Sequence, residues 1–253
     1  MEQLRKPGQG VWNIIRFNWH FYVLAAGAVL LLSILINFSP PPYRVFGILA
    51  GLLVITPTLL SLLVSYYVYD ASGLYRLDWL NVLRIPSGGK FVNINAGFDE
   101  TSHLLQSKFP AAELVVFDFY NPATHTEVSI RRARKAYPAY PGTRQVRTDR
   151  LPLPDGYADV VFIIFAAHEI RNTAERISFF QELRRVLKQD GTIVVTEHLR
   201  DLPNFLAYNL GAFHFLPEAS WRRSFQSARL QVLKEIKTTP FVTTYMLEHG
   251  TTD

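Results

Sequence analysis

The chain has 253 residues, a net charge of +5 at pH 7 and no cysteine. The absence of cysteine excludes disulfides, thiolate metal sites and cysteine nucleophiles. The modest positive charge lies partly beside long apolar segments, which favours contact with anionic lipid headgroups over nucleic-acid binding. We therefore expect a lipid bilayer as a partner and no nucleic acid.

Two long runs without charged residues occupy the N-terminal part of the chain. Residues 21–38 and 45–69 correspond to helices of about 27 and 37 Å, and a bilayer core is about 30 Å thick. Three consecutive prolines at positions 40–42 predict a tight connection between them. A cleaved signal peptide is the alternative for the first run, but no small-residue cleavage site follows it. We predict a membrane hairpin in residues 1–69.

Basic residues near the ends of the two runs predict the orientation of this hairpin. Loops that are rich in Lys and Arg stay on the cytoplasmic side of a membrane, and Arg44 is the single basic residue in the connection. Both termini are therefore expected in the cytoplasm, with residues 70–89 as an interfacial linker and residues 90–253 as a cytoplasmic domain. The flanking basic residues are Arg5, Lys6, Arg16, Arg76, Arg84 and Lys90.

From residue 90 onward, apolar strands alternate with amphipathic helices, which is typical of an α/β domain with a mostly parallel sheet. The last two strands follow one another directly and predict an antiparallel hairpin at the sheet edge. The predicted strands are 91–95, 114–119, 144–147, 158–165, 192–196, 230–237 and 241–247, and the predicted helices are 100–109, 121–135, 174–187 and 217–228.

Residues 90–118 have the pattern of a nucleotide-binding corner. The first strand ends in a turn that holds Gly97, and Asp118 ends the second strand about 20 residues later, where an acid accepts hydrogen bonds from ribose hydroxyls. One glycine is fewer than a dinucleotide-binding loop needs. This shortage argues against a nicotinamide-dependent reductase.

Two further segments carry a family resemblance. Residues 149–161 (DRLPLPDGYADVV) resemble the chain that leads into the fourth strand of class I S-adenosylmethionine-dependent methyltransferases, and residues 179–191 (FFQELRRVLKQDG) resemble the helix and turn before the fifth. The most similar branch methylates quinones, lipids and other small molecules. The resemblance covers residues 90–247. It implies a Rossmann-like seven-stranded sheet, S-adenosylmethionine as cofactor and methyl transfer as the activity.

The resemblance assigns cofactor-binding roles at the ends of the first two strands. Asn93, Asn95 and Gly97 are expected to surround the amino-acid end of the cofactor, and Gly97 permits close approach of the backbone. Asn95 replaces a usual glycine. Asp118 is expected to accept hydrogen bonds from both ribose hydroxyls, and Phe119 to pack on the adenine ring.

Asp149, Arg150 and Leu151 match the family positions around adenine, with Asp149 receiving the amino group of the base. Two departures concern the other end of the cofactor. Asn93 stands where the family usually has an acid, which weakens attraction for the cationic methionine end, and Asp99 replaces a usual glycine. These departures leave an alternative open, a non-catalytic scaffold or sensor that keeps the fold.

Polar clusters follow the fourth and fifth strands, at the edge where open sheets bind ligands. They supply His168 and His198 as candidates for a catalytic base, because histidine is near half-ionised at neutral pH. The alternative is that both rings anchor loops through hydrogen bonds. His214 is a third candidate, or a ring packed among aromatic neighbours. No metal site is predicted.

The aromatic stretch at residues 202–216 lies where the family inserts substrate-binding elements after the fifth strand. It is expected to cover a pocket for an apolar acceptor, to contact the membrane, or to belong to the core. The leading hypothesis is a membrane-anchored methyltransferase that acts on a small hydrophobic acceptor. The acceptor, the methylated atom and the oligomeric state stay open.

Overall fold

The computed structural model describes residues 5–83, 85–125 and 127–250. Its N-terminal part holds α1 (Gln9–Phe17), α2 (Trp19–Phe38) and α3 (Pro41–Tyr66). By length and composition, α2 and α3 are sufficient to cross a membrane, and they pack against each other. α3 begins earlier than expected because proline fits the first turn of a helix, where its missing N–H is not needed.

The chain beyond α3 packs directly onto the domain that follows. It runs through a π-helical turn and two 3₁₀ turns, which are Tyr67–Ala71, Leu74–Arg76 and Asp78–Leu83. Val68 and Leu80 have no exposed surface, and Leu77 is 2% exposed. We expected an interfacial linker on the membrane surface. The apolar side chains of this segment cover the sheet, and its place at the membrane surface stays a prediction.

A seven-stranded sheet forms the centre of the C-terminal domain. Its strands are β1 (Gly88–Asn95), β2 (Ala111–Asp118), β3 (Arg144–Gln145), β4 (Ala158–Ile164), β5 (Leu187–His198), β6 (Leu230–Thr239) and β7 (Val242–His249). In the order β3-β2-β1-β4-β5-β7-β6, neighbours from β3 to β5 are parallel, and β7 is antiparallel to both β5 and β6. The predicted α/β sheet with an antiparallel edge hairpin is confirmed.

The helices of the domain connect these strands. They are α4 (Ser102–Lys108), α5 (Val128–Ala136), α6 (Thr173–Val186), α7 (Leu202–Tyr208) and α8 (Glu218–Ser227). α5 begins later than expected because Asn121 holds a turn instead, in which its side-chain oxygen accepts from the Ala123 N–H at 3.0 Å. The aromatic stretch forms α7 and a 3₁₀ turn, Asn209–His214.

Two hydrophobic clusters lie on opposite faces of the sheet, because successive side chains of a strand point in opposite directions. Val161 and Ile163 of β4 join one cluster, which includes side chains of α6 and α8. Val160 and Phe162 join the other, which includes Leu80 and a side chain of α4. The segment after α3 therefore covers part of the second face, and the core of the domain begins before β1.

Leu80→Ala tests this packing, with Val82→Ala as the matched control. Leu80 has no exposed surface and Val82 is 53% exposed, although both lie in the same 3₁₀ turn. Removing buried methyl groups leaves a cavity, so we expect Leu80→Ala to lower the free energy of unfolding by about 2 to 5 kcal/mol. Denaturant unfolding of the full chain in detergent micelles measures this value. Equal effects of the two substitutions would contradict the placement of Leu80 in the core.

Candidate functional site

The order of the strands brings the loops after β1, β2, β4 and β5 to one edge of the sheet. β1 and β4 are neighbours in its centre, and the chain continues from β1 to β2 on one side and from β4 to β5 on the other. Open parallel sheets bind ligands outside the carboxyl ends of their strands at such a switch point. This edge is therefore the candidate site.

The turn after β1 is built around Gly97. Its φ of +96° is a conformation that glycine adopts without a steric penalty. Asn95 Oδ1 accepts a hydrogen bond from the Gly97 N–H at 2.9 Å. Asn93 Nδ2 donates to Thr101 Oγ1 at 3.0 Å and to Ser102 Oγ at 2.8 Å. Both asparagines therefore shape the turn and the start of α4.

Three buried polar atoms around this turn have no hydrogen-bond partner within the described part of the chain. They are Asn93 Oδ1, Asn95 Nδ2 and Asp99 Oδ2. An unpaired buried polar group costs about 1 to 3 kcal/mol. Two of these atoms are acceptors and one is a donor.

Asp118 lies opposite Asn95 in the pairing of β1 with β2. One of its carboxylate oxygens accepts from the Tyr120 N–H at 2.8 Å, and the other forms an ion pair with Arg134. The Arg134 guanidinium also stacks over the Tyr120 ring, and its Nη1 lies 2.7 Å from the place of a Cβ on Gly97. Arg134 therefore fills the space between the Gly97 turn and Asp118.

α1, which the apolar pattern did not predict as a separate helix, covers the same turn. Phe17 packs edge to face on Phe98, with ring centroids 5.6 Å apart. Asn13 Nδ2 and Arg5 Nη1 donate to Glu100 Oε1 at 3.3 and 2.8 Å. The segment before the first apolar run is therefore part of the site.

Phe119 lies in the core beside the site. It is 2% exposed, and its ring packs against Phe179 and His125 with centroids 5.5 and 5.4 Å away. This arrangement gives no support to the predicted contact with an adenine ring. His125, which the sequence pattern did not indicate, is 3% exposed, and burial lowers the pKa of its ring. Its Nε2 has no partner among the described residues.

Asp149 and Arg150 are exposed in the turn that follows β3. The Asp149 carboxylate accepts from Arg147 Nε and Nη2 at 2.8 and 2.5 Å, and these hydrogen bonds lower its pKa. Leu151 is 1% exposed, and its N–H donates to Glu182 at 2.6 Å. Leu151 therefore anchors an exposed turn, and the cofactor-binding roles of the three residues stay predictions.

His168 follows β4 and lies between two carboxylates. Its Nδ1 is 2.7 Å from Glu197 Oε2, and its Nε2 is 3.3 Å from Glu169 Oε1. Burial alone lowers the pKa of His168, but Glu197 and then Glu169 outweigh this effect and raise the pKa to about 10. A ring in this arrangement is protonated at neutral pH. The structure therefore offers no free proton acceptor at His168, and its predicted role as a base remains untested.

His198, at the end of β5, is 4% exposed. Its Nε2 is 2.8 Å from the Tyr69 hydroxyl, and its Nδ1 is 2.9 Å from the Phe241 carbonyl and 3.2 Å from Asn204 Oδ1. Burial lowers its pKa to about 4. Both ring nitrogens are engaged in hydrogen bonds between structural elements, so this geometry favours a structural role over the predicted catalytic one.

His214, from the aromatic stretch, comes close to the group around His168. The two rings meet edge to face with centroids 5.1 Å apart, and His214 Nε2 is 3.8 Å from Glu169 Oε1. Its Nδ1 is 3.3 Å from Glu127 Oε1. Arg171 donates to the His214 carbonyl, and its guanidinium lies against the ring. The edge thus holds a dense polar cluster that sequence spacing did not predict.

Comparison with known proteins identifies the segment that contains this edge. Residues 97–195 match a methyltransferase domain. The matched part begins at the glycine of the β1 turn and ends within β5, so that it includes Asp118 and His168. The matched segment therefore contains Asp118 of the nucleotide corner and part of the polar cluster.

Curated relatives match a shorter part of this chain. Ubiquinone/menaquinone biosynthesis C-methyltransferase UbiE of Yersinia enterocolitica and that of Yersinia pestis are each 36% identical to this chain over 76 residues. The alignment covers 29% of this chain and 29% of each relative. The chain thus matches less than a third of the length of these relatives.

Solved structures share the fold of the C-terminal domain. A SAM-dependent methyltransferase from Aquifex aeolicus aligns with a TM-score of 0.51 and 16% identity, over 76% of this chain and 97% of that one. The PH0226 protein from Pyrococcus horikoshii OT3 aligns with a TM-score of 0.53 and 18% identity, over 70% of this chain and 90% of that one. At these identities the likeness concerns the fold, which is the Rossmann-like methyltransferase fold.

The environment of His198 predicts how stability depends on pH. Its pKa is about 4 in the folded chain and 6.5 when unperturbed. Between these values the unfolded chain binds a proton that the folded chain does not bind. The free energy of unfolding therefore falls as the pH drops from 6.5 to 4, by about 3 kcal/mol from this residue, and His198 contributes no slope above 6.5.

His198→Gln should remove this part of the slope. We expect the thermal unfolding midpoint of the variant, measured in detergent micelles, to fall less than that of the wild type across this window. Above the window the difference between the two proteins should be constant. Parallel curves throughout would show that His198 is not buried as a neutral ring.

Proposed function

We propose that this chain is a membrane-anchored, S-adenosylmethionine-dependent methyltransferase that acts on a small hydrophobic acceptor. The match of residues 97–195 to a methyltransferase domain and the strand order support the reaction class. The observation that carries the proposal is the corner at the ends of β1 and β2. There, a glycine turn with unpaired buried polar atoms lies beside the carboxylate of Asp118.

The residues of the turn fit the amino-acid end of the cofactor. That end carries an ammonium and a carboxylate group. Asn93 Oδ1 and Asp99 Oδ2 are buried acceptors for the ammonium, and Asn95 Nδ2 is a buried donor for the carboxylate. Asp99 also supplies the negative charge that is missing at Asn93. The departures from the family pattern are therefore compatible with cofactor binding, which disfavours the scaffold alternative.

Arg134 has to leave this corner before Asp118 binds a ribose. Its side chain is 35% exposed, so the guanidinium has a route to solvent. Asp118 would then exchange one ion pair for hydrogen bonds from the two ribose hydroxyls. This exchange keeps the buried carboxylate partnered in both states, which avoids the cost of an unpaired buried charge.

S-adenosylmethionine supplies a methyl group on a positively charged sulfur, and the acceptor atom has to lie in line with it. We place that atom beside His168, Glu169 and Glu197, which lie at the carboxyl ends of β4 and β5. This polar cluster lies next to the corner that the Gly97 turn and Asp118 form. Its carboxylates and imidazole are the side chains that we expect to bind the acceptor.

The aromatic stretch supports an acceptor that comes from the bilayer. α7 and the following 3₁₀ turn lie beside α3, and Ala207 packs in one cluster with Val64 and Val68 of the membrane-proximal chain. Their outer face is apolar and exposed. Its residues are Leu202, Phe205, Leu206, Leu210 and Phe213, with exposures from 44% to 80%. We propose that this face lies in the membrane surface, on the cytoplasmic side, beside the route of the acceptor.

The Yersinia relatives are named for ubiquinone and menaquinone biosynthesis. A membrane-soluble ring compound of that kind is the acceptor class that this arrangement favours, because it partitions into the layer that the exposed apolar face would contact.

Asp118→Ala tests the cofactor corner. The substitution removes charge-assisted hydrogen bonds to ribose, each worth about 1.5 to 3 kcal/mol, so we expect at least a tenfold rise in the dissociation constant for S-adenosylmethionine. Calorimetric titration of the full chain in nanodiscs measures it. Asp190→Ala, which removes an exposed carboxylate in β5, is the control and should bind as the wild type does.

The titration also separates the proposal from the scaffold alternative. No binding by the wild type at millimolar cofactor would refute the methyltransferase assignment. Binding that Asp118→Ala leaves unchanged would mean that the ribose lies elsewhere. Unfolding midpoints of both variants show whether the corner is intact.

A single thiol at Leu210 tests the membrane face. The chain has no cysteine, so Leu210→Cys provides one labelling position, and Leu210 is 80% exposed. We expect a fluorophore there, in nanodiscs, to be quenched by nitroxide-labelled lipid. Asp190→Cys, toward the other end of β5, is the control and should be quenched much less. Equal quenching at the two positions would contradict the proposed orientation.

A further inference from the structure

The polar cluster at the sheet edge has the donor set of a metal site. One ligand atom from each of His168, Glu169 and His214 lies within 4.8 Å of the others. Glu169 Oε1 is 3.3 Å from His168 Nε2 and 3.8 Å from His214 Nε2. Donors that surround a zinc ion at about 2.1 Å lie about 3.4 Å from one another in tetrahedral geometry. The observed spacing therefore needs only a small adjustment.

The groups behind the two rings provide independent support. His168 Nδ1 is 2.7 Å from Glu197 Oε2, and His214 Nδ1 is 3.3 Å from Glu127 Oε1. Each ring therefore turns Nδ1 toward a carboxylate and Nε2 toward Glu169. Histidine ligands of metal ions show this same pattern, in which a carboxylate behind the ring fixes its orientation and raises its basicity.

We propose that His168, Glu169 and His214 bind a divalent first-row transition-metal ion, with Glu197 and Glu127 as positioning residues. Two imidazoles and one carboxylate favour Zn²⁺, Fe²⁺ or Mn²⁺ over Mg²⁺ and Ca²⁺, which prefer oxygen ligands. Three protein ligands leave coordination positions open for water or another oxygen ligand. The site is assembled from the turn after β4 and the 3₁₀ turn after α7. Because a histidine ligand has to be deprotonated, binding of the ion releases the proton that His168 carries in the free chain.

Arg171 opposes the ion in the observed arrangement. Its guanidinium is exposed, and its Nη2 is 2.9 Å from His214 Nε2. A bound ion would take that position, so the guanidinium has to turn toward solvent. Removing this positive charge should therefore strengthen metal binding, whereas it would have no such effect on an unrelated surface site.

Titration of the chain with Zn²⁺ alone tests the proposal. The protein is the full chain in detergent micelles, purified without a histidine tag and freed of metal by a chelator. We expect one ion per chain. His214→Ala should weaken binding at least tenfold, Glu197→Gln should weaken it about 10- to 100-fold, and Arg171→Ala should strengthen it. The experiment needs no S-adenosylmethionine, so its result is independent of the proposed function.

His103→Ala is the matched control, because His103 is exposed on α4 against Tyr140 and lies outside the cluster. It should bind Zn²⁺ as the wild type does. Failure of the wild type to bind would overturn the proposal, and so would an equal loss in His103→Ala and His214→Ala. His214→Gln, which keeps the size and polarity of the side chain, should lose binding as His214→Ala does if the loss is not a folding defect.

Discussion

A partly buried hydrogen bond joins the π-helical turn after α3 to the edge of the sheet. Tyr69 belongs to the π-helical turn, and its hydroxyl is 2.8 Å from His198 Nε2, at the end of β5. The rings of Phe165 and Phe215 stack on the His198 ring, with centroids 5.2 and 4.8 Å from its centroid. The segment after α3 and the C-terminal domain are therefore parts of one core, and the candidate site is built where they meet.

This junction explains why so many polar groups gather at one edge. α1 closes the Gly97 turn through Glu100, and α7 packs against α3 while its 3₁₀ extension brings His214 to the turn after β4. Each half of the site thus receives residues from an element that packs against α3. A boundary at residues 86–89 separates the chain by composition, but the packing continues across it.

The sheet could be predicted from the sequence because its strands are short apolar runs with clear breaks, and because the Gly97 to Asp118 spacing is local. The contacts that those residues make with distant parts of the chain could not be predicted. Arg134 lies in a run of mostly basic residues, 131–135 (RRARK), which is typical of a solvated helix face, yet it pairs with Asp118. His168 and His214 meet through tertiary packing alone, so neither their spacing nor their neighbours in the sequence indicated a shared cluster.

The burial of Val68 against the C-terminal part of the chain bears on how the protein is made. Val68 packs in one cluster with Val242 of β7, the last strand. Synthesis proceeds from the N-terminus, so the apolar residues after α3 emerge long before the strands that cover them. They have no sheet to pack on until β4 and β5 are complete, and Val68 is not fully covered until β7 has been made. The core of this protein is therefore closed only after β7 has been made.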